Sequence, residues 1–435
     1  MTKRIVCFKL FLSLFFSLGL FLNSYISFAE KLPVDMDKVD IYLMTVGLGD
    51  EIYQRFGHSI VRVVDHEAKH DYTYNWGIFS FEDPGFAFKF FKGILIYRMD
   101  RTGMVTVVRH YRDYEKRSIW QDKLDLTAAQ KRRLLERIAW NLQPENVRYR
   151  YQHFYNNCST KIRDYIDEAV EGKVKEYTQR SPVKPVFRDY VRGHLSNIPI
   201  VAMGLDVFMN SKIDQPITEW DEMFLPSKLR EYLMALPSFD DNGVPKEGSH
   251  LLFDSTTVLE MPVVPVRDAN EMYYILIALF GIPSLLVAFF KLRAITHRDL
   301  NESRKIRFSL GGISIGWGLF SGFFGIVMFL SWAFSEHLDL HHNANLLMFW
   351  PTDWFLVSIG WHILRENVKP ASDFYRLACR YYLLGHIITS FILLAVWATN
   401  LIHQDVSRVC LFILPLTLLI YTVLLYEMSR YGQRK

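Results

Sequence analysis

Apolar residues along this chain come in clumps. A run from Ile5 to Leu22 follows Lys3 and Arg4 and leads to small residues at Ser27 and Ala29. That is the pattern of an export signal cleaved before Glu30. The alternative is an uncleaved anchor, because the run is long enough to span a bilayer. In either case the segment that follows leaves the cytosol. Cys7 lies too early to be a lipid-modified cysteine at the cleavage point. Residues 31–268 are mixed and polar. Five apolar runs come next, near Tyr273–Phe290, Phe308–Phe334, Leu346–Leu364, Tyr381–Ile402 and Val409–Tyr426. Each approaches the ~20 residues of a spanning helix.

The polar residues between these runs set their direction. Lys291, Arg293, Arg298, Arg304, Lys305 and Arg307 follow the first run, Arg365, Lys369, Arg376 and Arg380 follow the third, and Arg430, Arg434 and Lys435 end the chain. Ser335–Asn345 holds no Lys or Arg, and His403–Arg408 holds one. Basic loops stay in the cytoplasm. Five spans therefore place residues 30–270 outside and the C-terminus inside, in agreement with the export signal.

Within the exported part, Asp40–Val46, Ser59–Val64, Tyr72–Phe79 and Met104–Tyr111 are rich in β-branched and aromatic residues and separated by turn residues, which predicts strands. Thr127 can cap a helix over 127–142, with Leu134, Leu135, Ile138 and Leu142 at helical spacing. A second helix begins around Ser159, with Ile162, Tyr165, Ile166, Ala169 and Val170 on one stripe and Gly172 near its end. Ile198–Met209 is apolar, suited to a core or to a bilayer surface. Leu236–Pro265, rich in Pro, Gly and Asp, reads as a linker.

Composition narrows the class. The chain has 435 residues, 50% hydrophobic and 22% charged, which excludes disorder and a disulfide-dense mini-protein. A net charge of +4 is too small to argue for nucleic acid.

Of four cysteines, the exported part contains only Cys158. It has no partner for a disulfide within that part, so its thiol is either inert or reactive. Asn156-Asn157-Cys158-Ser159-Thr160 lies where a polar turn becomes an amphipathic helix. A helix N-terminus favours thiolate and offers free N–H groups to an oxyanion. His58, which opens the strand His58-Ser59-Ile60-Val61-Arg62, is the candidate base. Alternation puts Arg62 on the same face, where it could be anchored beside the site. Asn75 is the candidate third residue that orients the imidazole, with His70 and Tyr53 as alternatives.

A His on an early strand followed by Asn-Cys at a helix start resembles the circularly permuted, NlpC-type papain-like fold, shared by lecithin:retinol acyltransferase and related phospholipid acyltransferases. A broader resemblance is to the Lnb family. It is carried by Gly47-Leu48-Gly49, Phe56-Gly57-His58-Ser59-Ile60-Val61-Arg62, Tyr74-Asn75-Trp76-Gly77, Gly93-Ile94-Leu95-Ile96-Tyr97 and Phe154-Tyr155-Asn156-Asn157-Cys158-Ser159-Thr160. Phe224-Leu225-Pro226, Glu336-His337, Asn343-Ala344-Asn345 and Pro351 extend it. The resemblance implies a lipoprotein N-acyltransferase of the bacterial inner membrane. Such an enzyme has a phospholipid acyl donor, a lipoprotein acceptor and contact with membrane lipid, and needs no cofactor.

The loop Glu336–Asn343 is a second polar cluster. His337 and His341, four apart, suit a metal on a helix, a headgroup contact, or plain interfacial polarity. Arg62, Asn157, His337, Asn343 and Asn345 are the expected substrate contacts, with no metal.

The expected fold class is α+β: a papain-like exported domain followed by a bundle of five transmembrane helices. The expected units are a signal at 1–29, a thiol catalytic domain at 30–175, a connector at 176–270 and a membrane domain at 271–435. Two other functions compete. One is a periplasmic cell-wall peptidase or other thiol hydrolase, and the other is a non-catalytic membrane sensor or scaffold.

Overall fold

A computed structural model describes residues 32–79, 85–265, 300–365 and 372–430. The expected export signal and the first apolar run lie outside the described residues.

The exported part is built on one antiparallel sheet of seven strands: β1 (Val39–Val46), β2 (His58–Asp65), β3 (His70–Ile78), β4 (Ile96–Gly103), β5 (Ile119–Leu124), β6 (Arg148–Arg150) and β7 (Leu252–Leu259), in the order β6-β4-β3-β2-β1-β5-β7. Period-two alternation gives it two buried faces. Ile41, Leu43, Val61, Val63, Tyr74 and Trp76 pack under helices α3 (Ala128–Asn141) and α4 (Cys158–Ala169), while Met44, Val46 and Ile60 face the other way. Thr127 and Gln130 exchange side-chain and backbone bonds at the start of α3, a capping box. Asn141 then locks sheet to helices, its Oδ1 accepting from Trp76 Nε1 and Tyr165 Oη, each at 2.7 Å.

Three expectations are corrected here. Met104–Tyr111 is not a strand: β4 ends at Gly103, and Met104–His110 forms a helix, α2, continued by a π-turn over Tyr111–Glu115. Met104, Val107 and Tyr111 recur at helical spacing and bury against Val46 and Ile60, so packing overrides β propensity. Leu236–Pro265 is not all linker, because Leu252–Leu259 supplies the edge strand β7, paired with β5. The core under the sheet also takes in Met223, Leu229, Leu233, Phe239 and Leu251.

The third correction concerns the membrane part. Phe308–Phe334, within a helix over Leu300–Phe334, and Asp373–Ala398 are long and apolar enough to cross a membrane. Phe355–Arg365 and Leu414–Tyr426 are shorter. The run expected as one span over Leu346–Leu364 is broken, with a 3-10 turn at Ala344–Leu347 and helix only from Phe355. Pro351 lacks a donor for helix, and the Asp353 carboxylate caps Trp350 N–H at 3.0 Å. Buried Asp353 also meets His386 at 2.7 Å, Tyr382 Oη at 2.7 Å, and Ser321. Gly325 lets this segment lie against the long helix: a Cβ there would stand 2.5 Å from Trp350 C.

A buried ionic cluster joins the exported part to the membrane part. Arg188 and Arg192, from a helix over Phe187–His194, meet Asp206 and Asp214, and Asp206 and Arg192 reach Arg408 and Asp405 ahead of the last helix.

Candidate active site

Asn157 caps α4. Its Oδ1 accepts from Thr160 N–H at 2.9 Å, and its own N–H donates to Thr160 Oγ1 at 2.8 Å. Its amide also donates to the carbonyls of His153 and Phe224. Asn156 and Gln152 pair backbone to backbone just before it. These bonds fix Cys158 as the first helical residue, half-buried at the positive end of α4.

One bond fixes the helix to the sheet at the right height. Ser59 Oγ and Ser159 Oγ lie 2.9 Å apart, both fully buried. Ser59 follows His58 and Ser159 follows Cys158, so joining the two serines brings His58 beside Cys158. Asn75 on β3 orients the imidazole: its Oδ1 lies 2.8 Å from His58 Nε2 and accepts Gly77 N–H at 2.7 Å. An acceptor there requires Nε2 to carry hydrogen, which leaves Nδ1 as the basic nitrogen. Gly77 makes the room, because a Cβ at that position would stand 2.5 Å from His58 Cε1.

The electrostatics match this geometry. Burial pushes the Cys158 thiol up. The His58 charge and hydrogen bond, Ser59 N–H and the Ser159 hydroxyl outweigh it and bring the thiol down to about 7. Burial pushes the His58 imidazolium down, and so does the charge of Arg117. The Cys158 thiolate and the Asn75 bond more than offset them, so His58 titrates above its ordinary range. These shifts favour a Cys158 thiolate beside a His58 imidazolium, the arrangement that an activated thiol requires.

An aromatic wall stands beside the thiol. Tyr97 stacks on Phe79 at 4.7 Å and on Tyr151 at 4.1 Å. Burial first, and then the thiolate charge, push the Tyr97 phenol up. On the His58 side, Gly57 and Pro226 border an apolar cavity of about 330 Å³. Its lining includes Leu48, Trp120 and Pro262 and no Asp, Glu, Lys or Arg.

The other candidates from the sequence have different employment. Arg62 shares the face of His58, yet its guanidinium is held bidentately by Asp71 and by Gln121. Asn157 is spent on the cap. His70 pairs with Asp65 at the opposite end of β3 from Asn75. Asn343 and Asn345 are buried, and both donate to Val207 O, so they seat the loop on the exported part. His337 Nε2 lies 3.0 Å from Phe90 O and His341 Nε2 2.8 Å from Ser335 O. Ser59, Ser159, Gly77 and Tyr97 were missed. Only the pairing of Ser after His with Ser after Cys offered a signal for the first two.

No curated protein and no solved structure matched the chain. Residues 29–193 match the family model described as the Lnb N-terminal periplasmic domain. The match spans β1 to the Phe187–His194 helix and contains His58, Asn75 and Cys158. Residues 29–193, the segment that holds the candidate pair, are thus similar to the Lnb N-terminal periplasmic domain.

Proposed function

We propose that this protein is a cysteine-dependent acyltransferase that moves an acyl chain from a phospholipid or lyso-lipid to the N-terminal amine of a bacterial lipoprotein. The observation that carries the reading is the thiol–imidazole pair, with Cys158 at a helix N-terminus and the tautomer of His58 fixed by Asn75. Cys158 Sγ attacks the ester carbonyl, and the first N–H groups of α4 receive the oxyanion. The C–O bond breaks as His58 passes its proton to the leaving alkoxide, leaving a thioester. An amine then attacks, His58 takes its proton, and the C–S bond breaks to return the thiolate.

Transfer to an amine requires that water be kept from the thioester. The wall of Phe79, Tyr97 and Tyr151 and the uncharged cavity beside Gly57 suit that need and suit a hydrocarbon chain. The charge pattern of the loops supports a multi-pass protein of the inner membrane, with this domain in the periplasm and the C-terminus in the cytoplasm. A permuted papain-like relation accounts for the order of His before Cys.

The test is mass spectrometry of lipoprotein N-termini from cells with and without the protein. Loss of the N-acyl group in its absence is the expected result. Unchanged N-termini, with altered cell-wall peptides instead, would replace transfer by hydrolysis.

A further inference from the structure

A short aromatic helix, α1 (Phe86–Lys92, sequence FAFKFFK), projects beside the junction with the membrane part. Phe88 is 67% and Phe90 55% exposed, with Lys89 and Lys92 interleaved. Water is a poor environment for such a cluster, and exposed aromatics grouped this way mark a contact surface. The attachments of α1 say which surface. Its C-terminal carbonyls are bound by the residues that follow the long apolar helix: Ser335 Oγ donates to Phe91 O at 2.8 Å and Glu336 N–H to Lys92 O at 2.8 Å, and His337 reaches Phe90 O. Gly93 permits this close seating, since it adopts φ +76° and a Cβ there would stand 2.9 Å from His337 N. Phe334, the last residue of that helix, is itself 63% exposed.

We infer that α1 lies in the headgroup region of the outer-facing leaflet and holds the catalytic cleft on the lipid surface. The occupant is phospholipid, on three grounds. The helix is fixed to the end of a span, so its height is that of the bilayer boundary. Aromatic rings with lysines reaching outward are the composition of an interfacial helix, and Lys92 already stands over the Phe88 ring, 5.9 Å from its centre. The chain also runs from α1 through Gly93–Leu95 straight into β4, where Tyr97 lines the thiol. A lipid held at α1 is therefore held on the segment that leads into the wall beside Cys158. The immersion of α1 rests on the reading of the apolar helices as spans, and its use in uptake rests on the acyl-transfer reading.

The test uses the full chain reconstituted in vesicles of phosphatidylethanolamine and phosphatidylglycerol. p-Benzoylphenylalanine replaces Phe88 or, as a control, Val244, an apolar residue 56% exposed on an outlying turn. Irradiation should give a phospholipid adduct at 88 and none at 244. A crosslink from 88 to protein, to a second copy or to nothing overturns the inference. In a second arm, Phe88→Asp with Phe90→Asp should slow acylation of Cys158 by vesicle-borne lipid about tenfold, while a water-soluble acetyl ester reacts as before. Equal rates on vesicles overturn the uptake role. If the parent chain accepts acyl from neither donor, the acyltransferase reading falls, and the crosslink still decides where α1 lies.

Discussion

Gly77→Ala isolates the geometry of the pair from its chemistry. The added Cβ would stand 2.5 Å from His58 Cε1, 3.1 Å from Nε2 and 3.2 Å from Asn75 Oδ1. Carbon contacts settle near about 3.5 Å, so the imidazole must move by roughly 1 Å. Gly77 has no positive φ that would penalise alanine, and the fold should persist. A displacement of that size costs about 10²-fold in a positioned reaction. The thiol supplies an independent readout. With the His58 hydrogen bond disturbed, burial counts for more and the thiol rises from about 7 toward its ordinary 9.0. A complete return would cut the thiolate fraction at pH 7 about fiftyfold, which is the upper bound of the effect. The assay is iodoacetamide alkylation of Cys158 across pH, read by peptide mass, alongside a melting curve. A variant that keeps its melting point and alkylates Cys158 with the wild-type pH midpoint would refute the reasoning.

Other outcomes follow from the same geometry. His58→Asn should slow thioester formation roughly 10²–10⁴-fold in folded protein, and near-normal formation in single turnover removes His58 from the mechanism. Because the thiol is held down at about 7 and the charged pair needs thiolate, wild-type acylation should be lost as pH falls through 7, and a rate that is flat from pH 5 to 8, by stopped assay, contradicts this. Asp206→Ala leaves Arg188, Arg192 and Arg408 short of their shared carboxylate and should cost about 3–5 kcal/mol, measured as thermal unfolding in detergent. Asn157→Ala removes the cap of α4 and should cost about 1 kcal/mol, whereas Asn157→Ser should restore most of it.

Much of the site was legible because its parts are local. The cap at Asn157, the stripe through Ile162, Ile166 and Ala169, and the alternation in β1 to β3 are each written in consecutive residues, and they placed Cys158 and His58 on the right elements. What was not legible depends on distant partners. The Ser59–Ser159 bond joins residues 100 positions apart. Arg62 is held by Asp71 and Gln121, which only the register brings near. Residues 252–259 became a strand because β5 offered a free edge. Met104–His110 has the residues of a strand but the buried spacing of a helix, and its spacing governed. The third apolar run passed a hydropathy test that is blind to Pro351 and to the Asp353 side chain that breaks the helix.

The central claim, that Cys158 carries the acyl group, is tested most directly by intact mass. The purified protein is mixed with phospholipid of one defined acyl chain, quenched in acid and weighed, then mixed with a diacylglyceryl lipopeptide. The account predicts a mass increase equal to one acyl group, located on Cys158, absent in Cys158→Ala, and transferred to the peptide amine when the lipopeptide is added. Wild-type N-acylation of the lipopeptide by Cys158→Ala would contradict it.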